Sequence, residues 1–124
     1  MSAHPQHSPG FLAIVADAKT RIREVTVAET LQAVNGGTAR LIDVREDTEW
    51  EAGHAPGADH IGKGVIERDI EKVVPDKDAE LILYCGGGYR AALAADSLQR
   101  MGYTNVASMA GGWRAWVEEG QPVD

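Results

Sequence analysis

Cys85, the only cysteine among the 124 residues, stands where a reactive thiol would be placed. The apolar run at 81–84 precedes it and is too short for a helix, which is typical of a buried strand. After three glycines, the alanine-rich segment 91–101 predicts a helix that ends at Gly102. The thiol is therefore expected at the carboxyl end of a parallel strand, above a helix N-terminus. Open α/β sheets bind their ligands at this position.

The loop after Cys85 suits an ionised sulfur. Gly86, Gly87 and Gly88 leave the backbone free to adopt positive φ, which we expect at Gly87, so that successive N–H groups can converge on an anion. The following helix adds partial positive charge, and Arg90 adds a full one. A lone cysteine is more often a buried, inert core residue. The strand end, triple glycine, helix start and arginine together favour a nucleophilic thiolate instead.

Three segments, in order along the chain, resemble the single-domain rhodaneses, a sulfurtransferase family. Members of this family carry a catalytic cysteine on a six-residue loop after a central strand, often with glycine fourth and arginine sixth. Cys85, Gly88 and Arg90 match those positions. The segments 41–58 and 111–116 resemble the N-terminal and C-terminal signatures of the family. This resemblance implies that Cys85 is the catalytic nucleophile.

The resemblance also implies a double displacement that needs no metal and no organic cofactor. The Cys85 thiolate attacks the outer sulfur of a small donor such as thiosulfate and becomes a persulfide. An acceptor, which is cyanide in an assay and a thiol or a protein in the cell, then removes that sulfur. Backbone N–H groups of the loop would hold the charge on the transferred sulfur. The residues predicted for this cradle are Gly86, Gly87, Gly88, Tyr89 and Arg90.

Two other functions remain open for the same residues. The first is a sulfur-carrier or interaction module with weak turnover of its own. The second is a cysteine phosphatase or an arsenate reductase, which also places cysteine and arginine on an anion-binding loop. Four residues separate Cys85 from Arg90 here, one fewer than in those enzymes, and the shorter loop fits a sulfur atom better than a tetrahedral anion.

Other side chains are candidates for supporting roles. Asp43 and Arg45 follow the strand predicted over 40–44, and we expect Asp43 to hold Arg45 or to cap a turn rather than to transfer protons. His54, in a Gly-His-Ala-Pro-Gly turn, is expected to bond to backbone rather than to act as a base. Trp113 and Trp116 lie on one face of a predicted helix and are expected to pack in the core.

The composition excludes several classes of partner. A net charge of −7 argues against binding to nucleic acid or to an anionic membrane surface. A single cysteine cannot form an internal disulfide, and residues 1–16 lack the pattern of an export signal or a membrane span. We therefore expect a protein of the reducing cytoplasm. The histidines of the N-terminal tail are expected to be solvated rather than to bind a metal.

Strands alternate with helices along the chain. Strands are predicted near Val25 and over 40–44, 58–61, 81–84 and 105–109. Helices are predicted to begin near Thr26, Thr48, Val65, Ala91 and Trp113. This alternation predicts an α/β domain with a parallel sheet of about five strands and helices on both faces. The resemblance to rhodaneses implies the same three-layer architecture.

The N-terminal segment 1–24 is predicted to lie outside the rhodanese-like domain, which is expected to span 25–124. Residues 2–10 are typical of a disordered tail. An amphipathic helix should begin at Pro9 or Gly10 and end near Arg21, because apolar residues recur at helical spacing. Its apolar stripe could cover the flank of the domain or form the contact of a homodimer.

Overall fold

A parallel five-stranded sheet lies at the centre of the computed structural model, which describes residues 7–124. The strands are β1 (Arg23–Val25), β2 (Ala39–Asp43), β3 (Asp59–His60), β4 (Glu80–Tyr84) and β5 (Val106–Met109). Their order across the sheet is β1-β5-β4-β2-β3, and every neighbouring pair is parallel. β4 is therefore the central strand, and the α/β architecture predicted from the sequence is confirmed.

Six helices connect and cover these strands in the described part of the chain. They are α1 (Pro9–Lys19), α2 (Val27–Asn35), α3 (Asp47–Ala52), α4 (Ile66–Val73), α5 (Tyr89–Arg100) and α6 (Gly112–Glu118). Two separate clusters of buried apolar residues form the core. One contains residues of α4 and α5, and the other contains residues of α2 and α6. Helices thus cover both faces of the sheet, as parallel strands require.

The central strand shows how the sequence sets these two faces. Leu81 and Leu83 point into the cluster with α4 and α5, whereas Ile82 and Tyr84 point into the cluster with α2 and α6. All four are at most 1% exposed, so the run is apolar throughout instead of alternating with polar residues. Cys85 continues the alternation and faces the α4 and α5 side.

The N-termini of α2 and α3 lie at or near their predicted positions. α2 begins near Thr26, as predicted, with a capping box in which the side chains of Thr26 and Glu29 each accept the backbone N–H of the other residue. α3 begins one residue before the predicted Thr48, because its capping contact runs from the Glu46 N–H to the Glu49 carboxylate. This second contact matters below, because it fixes Glu49.

α1 covers the flank of the domain by packing on α5. Val15 and Ala18 are 2% and 1% exposed, and Arg21 donates two hydrogen bonds to Asp96 of α5 at 3.0 and 2.9 Å. The apolar stripe of α1 therefore covers the flank of the domain, which is the first of its two predicted roles. Leu12 remains exposed, and the homodimer contact stays a prediction.

The predicted N-terminal tail is only partly described. Residues 2–6 of it lie outside the described residues, and Pro9 and Gly10 form the first turn of α1. None of the helices within 7–124 has both the length and the apolar character needed to cross a lipid bilayer.

Candidate active site

Cys85 lies at the bottom of a pocket, directly after β4 at the carboxyl end of the sheet. Its Sγ accepts hydrogen bonds from the backbone N–H groups of Gly88 at 3.1 Å and Ala91 at 3.3 Å. Both donors belong to the start of α5, where the helix adds partial positive charge. The residue is only 1% exposed, and it lines the pocket through which a reactant would reach the sulfur. The site therefore offers an anionic sulfur two fixed donors.

The donors differ from those predicted. Of the five residues expected to form the cradle, Gly88 donates to the sulfur, and the second donor is Ala91, which the sequence did not single out. Tyr89 and Arg90 are the first two residues of α5 rather than loop residues. The helix begins early because Gly88 takes the left-handed conformation, with φ of +99°, as its N-cap.

Positive φ was predicted for Gly87, and this prediction is wrong, because the left-handed glycine of the loop is Gly88. Gly88 also packs closely, since a Cβ on it would lie 3.4 Å from the backbone nitrogen of Gly111. A side chain at this position would therefore combine backbone strain with a tight contact.

The N-terminus of α6 contacts the Cys85 loop through backbone hydrogen bonds. The N–H of Trp113 donates to the Cys85 carbonyl at 2.7 Å, and the N–H of Arg114 donates to the Gly86 carbonyl at 3.0 Å. These N–H groups have no partner within their own helix, so the loop satisfies them. Gly112 permits the approach, because a Cβ there would lie 2.4 Å from the Cys85 carbonyl oxygen.

Arg90 is paired with a carboxylate that the sequence analysis did not select. Its two Nη atoms donate to Oε1 and Oε2 of Glu49 at 2.7 and 3.0 Å. The hydrogen bonds from Arg90 lower the pKa of Glu49 to about 2, and the same bonds raise the pKa of Arg90. Arg90 therefore brings its positive charge to the site as half of an ion pair. Arg90 is present, but Glu49 balances its charge.

Asp43 and Arg45 form a second, fully buried pair. Asp43 is 0% exposed and Arg45 is 4% exposed, and the shortest contact joins Nη2 to Oδ2 at 2.8 Å. Arg45 Nη2 also donates to the Gly53 carbonyl at 2.7 Å. The guanidinium lies 4.7 Å from the ring centre of Trp113, which lines the pocket. Asp43 thus holds Arg45, and the pair supports a pocket wall from behind.

The two tryptophans of α6 separate into different environments. Trp116 is 4% exposed in the core, as expected, and its Nε1 donates to the Pro122 carbonyl at 2.8 Å. Trp113 lines the Cys85 pocket instead. His54 stacks on Trp50 with ring centres 3.5 Å apart, and its Nδ1 lies 3.0 Å from the Trp50 carbonyl oxygen. It is not among the residues that line the pocket.

The pocket has a volume of about 800 Å³, and α1 closes one side of it. Tyr89 of α5 contacts His7 and Phe11, with ring centres 4.5 and 6.2 Å away. His7 and Phe11 also contact each other at 5.2 Å. Glu118 and Arg114 of α6 also line the pocket, together with Trp113. The cavity is therefore built from both aromatic and charged groups.

A model of the rhodanese-like domain family matches residues 26–119, which is most of the chain. The chain belongs to the rhodanese-like family. The resemblance stated from the three sequence motifs is thereby confirmed.

Proteins from several bacteria are similar to this chain. The thiosulfate sulfurtransferase GlpE of Pseudoalteromonas translucida is 28% identical over 76% of this chain and 88% of that protein. The polysulfide-sulfur transferase homodimer of Wolinella succinogenes has a TM-score of 0.80 at 27% identity, covering 93% of this chain and 87% of that one. A Rhodopseudomonas palustris protein of unknown function, described as a possible tyrosine phosphatase, has a TM-score of 0.86 at 30% identity, covering 98% and 100%.

Other curated relatives are longer proteins. The chain spans 30% of the length of the probable adenylyltransferase/sulfurtransferase MoeZ of Mycobacterium tuberculosis, which is 30% identical over 90% of this chain. It spans 60% of the length of an uncharacterised Bacillus subtilis protein, YqhL.

Three features of this rhodanese-like site were missed in the sequence. Glu49 sits in a helix start, where an acidic residue is ordinary. The two pocket residues from the N-terminal segment, His7 and Phe11, precede the residues matched by the family model. The docking of α6 on the loop had one visible signal, the pair Gly111-Gly112, which was interpreted only as part of the segment resembling the C-terminal signature.

Proposed function

We propose that this rhodanese-like chain is a sulfurtransferase that carries sulfane sulfur as a persulfide on Cys85. The observation that supports it best is the pair of N–H donors from Gly88 and Ala91 on Sγ, at the N-terminus of α5. Such donors stabilise negative charge on sulfur both before and after transfer. The proposal includes a reducing, cytoplasmic location, because a lone catalytic thiol must stay reduced.

The reaction has two displacements. The Cys85 thiolate forms a bond to the outer sulfur of a donor such as thiosulfate, the sulfur–sulfur bond of the donor breaks, and sulfite leaves. Cyanide, a thiol or a protein acceptor then attacks the outer sulfur of the persulfide and releases the Cys85 thiolate. The sulfane sulfur keeps its oxidation state, so no external oxidant or reductant is needed.

Two measurements test the proposal. Thiosulfate with cyanide should give thiocyanate, and Cys85→Ser should abolish it, because a hydroxyl without a base is a poor nucleophile. Mass spectrometry after donor treatment should find about 32 Da added at Cys85. Undiminished turnover in Cys85→Ser, or added sulfur at any other residue, would contradict the assignment.

A sulfur carrier with weak turnover is the second candidate, and one observation favours it. Glu49 balances the charge of Arg90, which leaves the loop poorly suited to capturing a free dianion such as thiosulfate. A carrier would receive sulfur from a protein-bound donor instead. Turnover with a protein persulfide donor that greatly exceeds turnover with thiosulfate would favour the carrier.

A cysteine phosphatase is the weaker alternative. Four residues separate Cys85 from Arg90, and both ends of the Arg90 guanidinium already bind Glu49. A phosphate would need those same donors. We therefore expect no release of p-nitrophenol from p-nitrophenyl phosphate above the level of Cys85→Ser.

A further inference from the structure

The N-terminal helix contributes to the Cys85 pocket although the family match begins only at residue 26. Phe11 of α1 and His7 just before it pack against Tyr89, the residue next to Arg90. α1 is held in this position by the buried side chains of Val15 and Ala18. One wall of the pocket therefore comes from the N-terminal segment, outside the residues matched by the family model.

We propose that this pocket selects a small organic persulfide with an uncharged body over inorganic thiosulfate, and that Phe11 is a specificity-determining residue. The inference rests on the proposed persulfide chemistry of Cys85. In this arrangement the outer sulfur of the donor meets Cys85, while its organic body lies against Phe11, Tyr89 and Trp113.

The size of the pocket supports an organic donor. Its volume of about 800 Å³ falls within the range of cavities that hold drug-sized ligands, roughly 300–1,000 Å³. Thiosulfate has only a few heavy atoms and presents no apolar surface, so it would leave the aromatic wall unused. A donor with carbon atoms beyond its sulfur would bury that wall and gain from it.

The charges of the pocket disfavour a dianion. Two carboxylates, Glu49 and Glu118, line it together with two guanidinium groups, Arg90 and Arg114. Glu49 remains ionised at any working pH because the hydrogen bonds from Arg90 hold its pKa at about 2. Thiosulfate would have to displace Glu49 from Arg90 and then lie beside a carboxylate. A donor without charge on its body avoids both costs.

The sulfur transfer balances without a further reagent. The Cys85 thiolate attacks the outer sulfur of R–S–SH, and the new bond joins Sγ to that sulfur. The original sulfur–sulfur bond breaks, its electron pair leaves on R–S⁻, and the proton stays on the transferred sulfur. The products are Cys85–S–SH and the thiolate of the donor.

The test compares two donors in the full chain: thiosulfate and the persulfide of N-acetylcysteine amide, which has no carboxylate. The wild-type chain should show the higher kcat/KM with the persulfide. Phe11→Ala should lower the ratio of persulfide to thiosulfate kcat/KM about tenfold, the scale of one lost apolar contact in a specificity pocket. The matched control is Leu12→Ala, an exposed neighbour on α1 outside the pocket lining, which should leave the ratio unchanged.

A second variant tests the charge argument from the other side of the pocket. Glu49→Gln keeps a side-chain oxygen for the Glu46 N–H but releases Arg90 from a carboxylate. It should raise kcat/KM for thiosulfate about tenfold, the scale of one charge-assisted contact, and shift the ratio toward thiosulfate. An unchanged ratio in both Phe11→Ala and Glu49→Gln would overturn the inference. Failure of both donors to place sulfur on Cys85 would instead overturn the proposed function.

Discussion

The floor and the rim of the Cys85 pocket are formed by different kinds of contact. The floor is supported from behind by the buried pair Asp43 and Arg45, and by the backbone contacts that Gly112 and Trp113 make at the start of α6. The rim is formed by partly exposed side chains, from Phe11, Glu49, Tyr89 and Arg90. The floor has no room to rearrange, because protein interiors are close-packed. The rim can exchange its contacts with a ligand.

The same chemical pair occurs on both sides and serves different purposes. Asp43 and Arg45 are 0% and 4% exposed in the floor, whereas the Glu49 and Arg90 side chains are 35% and 32% exposed in the rim. Breaking a buried pair leaves an uncompensated charge, while an exposed pair is partly replaced by water. The floor pair should therefore govern stability and the rim pair should govern specificity.

The largest expected effect is that of Asp43→Ala in the floor. It leaves the Arg45 guanidinium buried without its carboxylate, so the free energy of unfolding should fall by about 3–5 kcal/mol. Urea unfolding measures it. Asp59→Ala is the matched control, because its ion pair with Arg40 is exposed and should be worth less than about 1 kcal/mol. Equal losses in the two variants would remove the distinction between a buried and an exposed ion pair.

A smaller effect is expected for Gly112→Ala, which tests the docking of α6 on the loop. Its Cβ would meet the Cys85 carbonyl at 2.4 Å, and φ there is +53°. The strain should cost about 1–3 kcal/mol, and the displaced loop should lower kcat further than the loss of folded protein explains.

The variant Gly120→Ala separates the effect of backbone strain from the effect of displacing the Cys85 loop. That residue has a φ of +72° but nothing within 4 Å of its added Cβ. It should reproduce the strain without the loss of kcat. Normal kcat in Gly112→Ala would show that the floor does not position Cys85.

In the rim, Arg90→Ala should leave stability within about 1 kcal/mol of the wild type. It should lower kcat/KM for thiosulfate by roughly ten- to a hundredfold, because Glu49 then faces the donor unbalanced. The double variant with Glu49→Gln is the control, and it should recover part of that loss. No recovery would mean that Arg90 acts by its own positive charge alone.

The sequence predicted the parts of the site that local rules decide. The apolar run 81–84, the glycines and the alanine-rich helix are contiguous, so the position of Cys85 followed from a few neighbouring residues. Contacts distant in sequence could not be derived in that way. Glu49 and Arg90 are 41 residues apart, and β2 and β4 must pair before α3 can present Glu49 to the loop.

The floor illustrates the same limit. Asp43 was expected to hold Arg45, because the two residues are close in sequence. That α6 would donate to the Cys85 and Gly86 carbonyls depends on how β5 lies beside β4, which only the assembled sheet decides. The contact between Phe11 and Tyr89 in the N-terminal wall is harder still to predict, because no local sequence pattern links the two residues.

The smallest expected effect is the response of the rim pair to acid. The pKa of Glu49 is lowered from 4.5 to about 2 in the folded chain, chiefly by the Arg90 hydrogen bonds. Because the folded value lies below the unfolded one, the pair stabilises the fold fully above about pH 4.5 and loses that contribution as the pH falls toward 2. At 35% exposure, water screens the pair, so the change should stay below about 1 kcal/mol. Other carboxylates titrate in the same range, so the measured quantity is the difference in unfolding free energy between wild type and Glu49→Gln. That difference should shrink between pH 4.5 and pH 2, and a constant difference would show that Glu49 and Arg90 are not paired in solution.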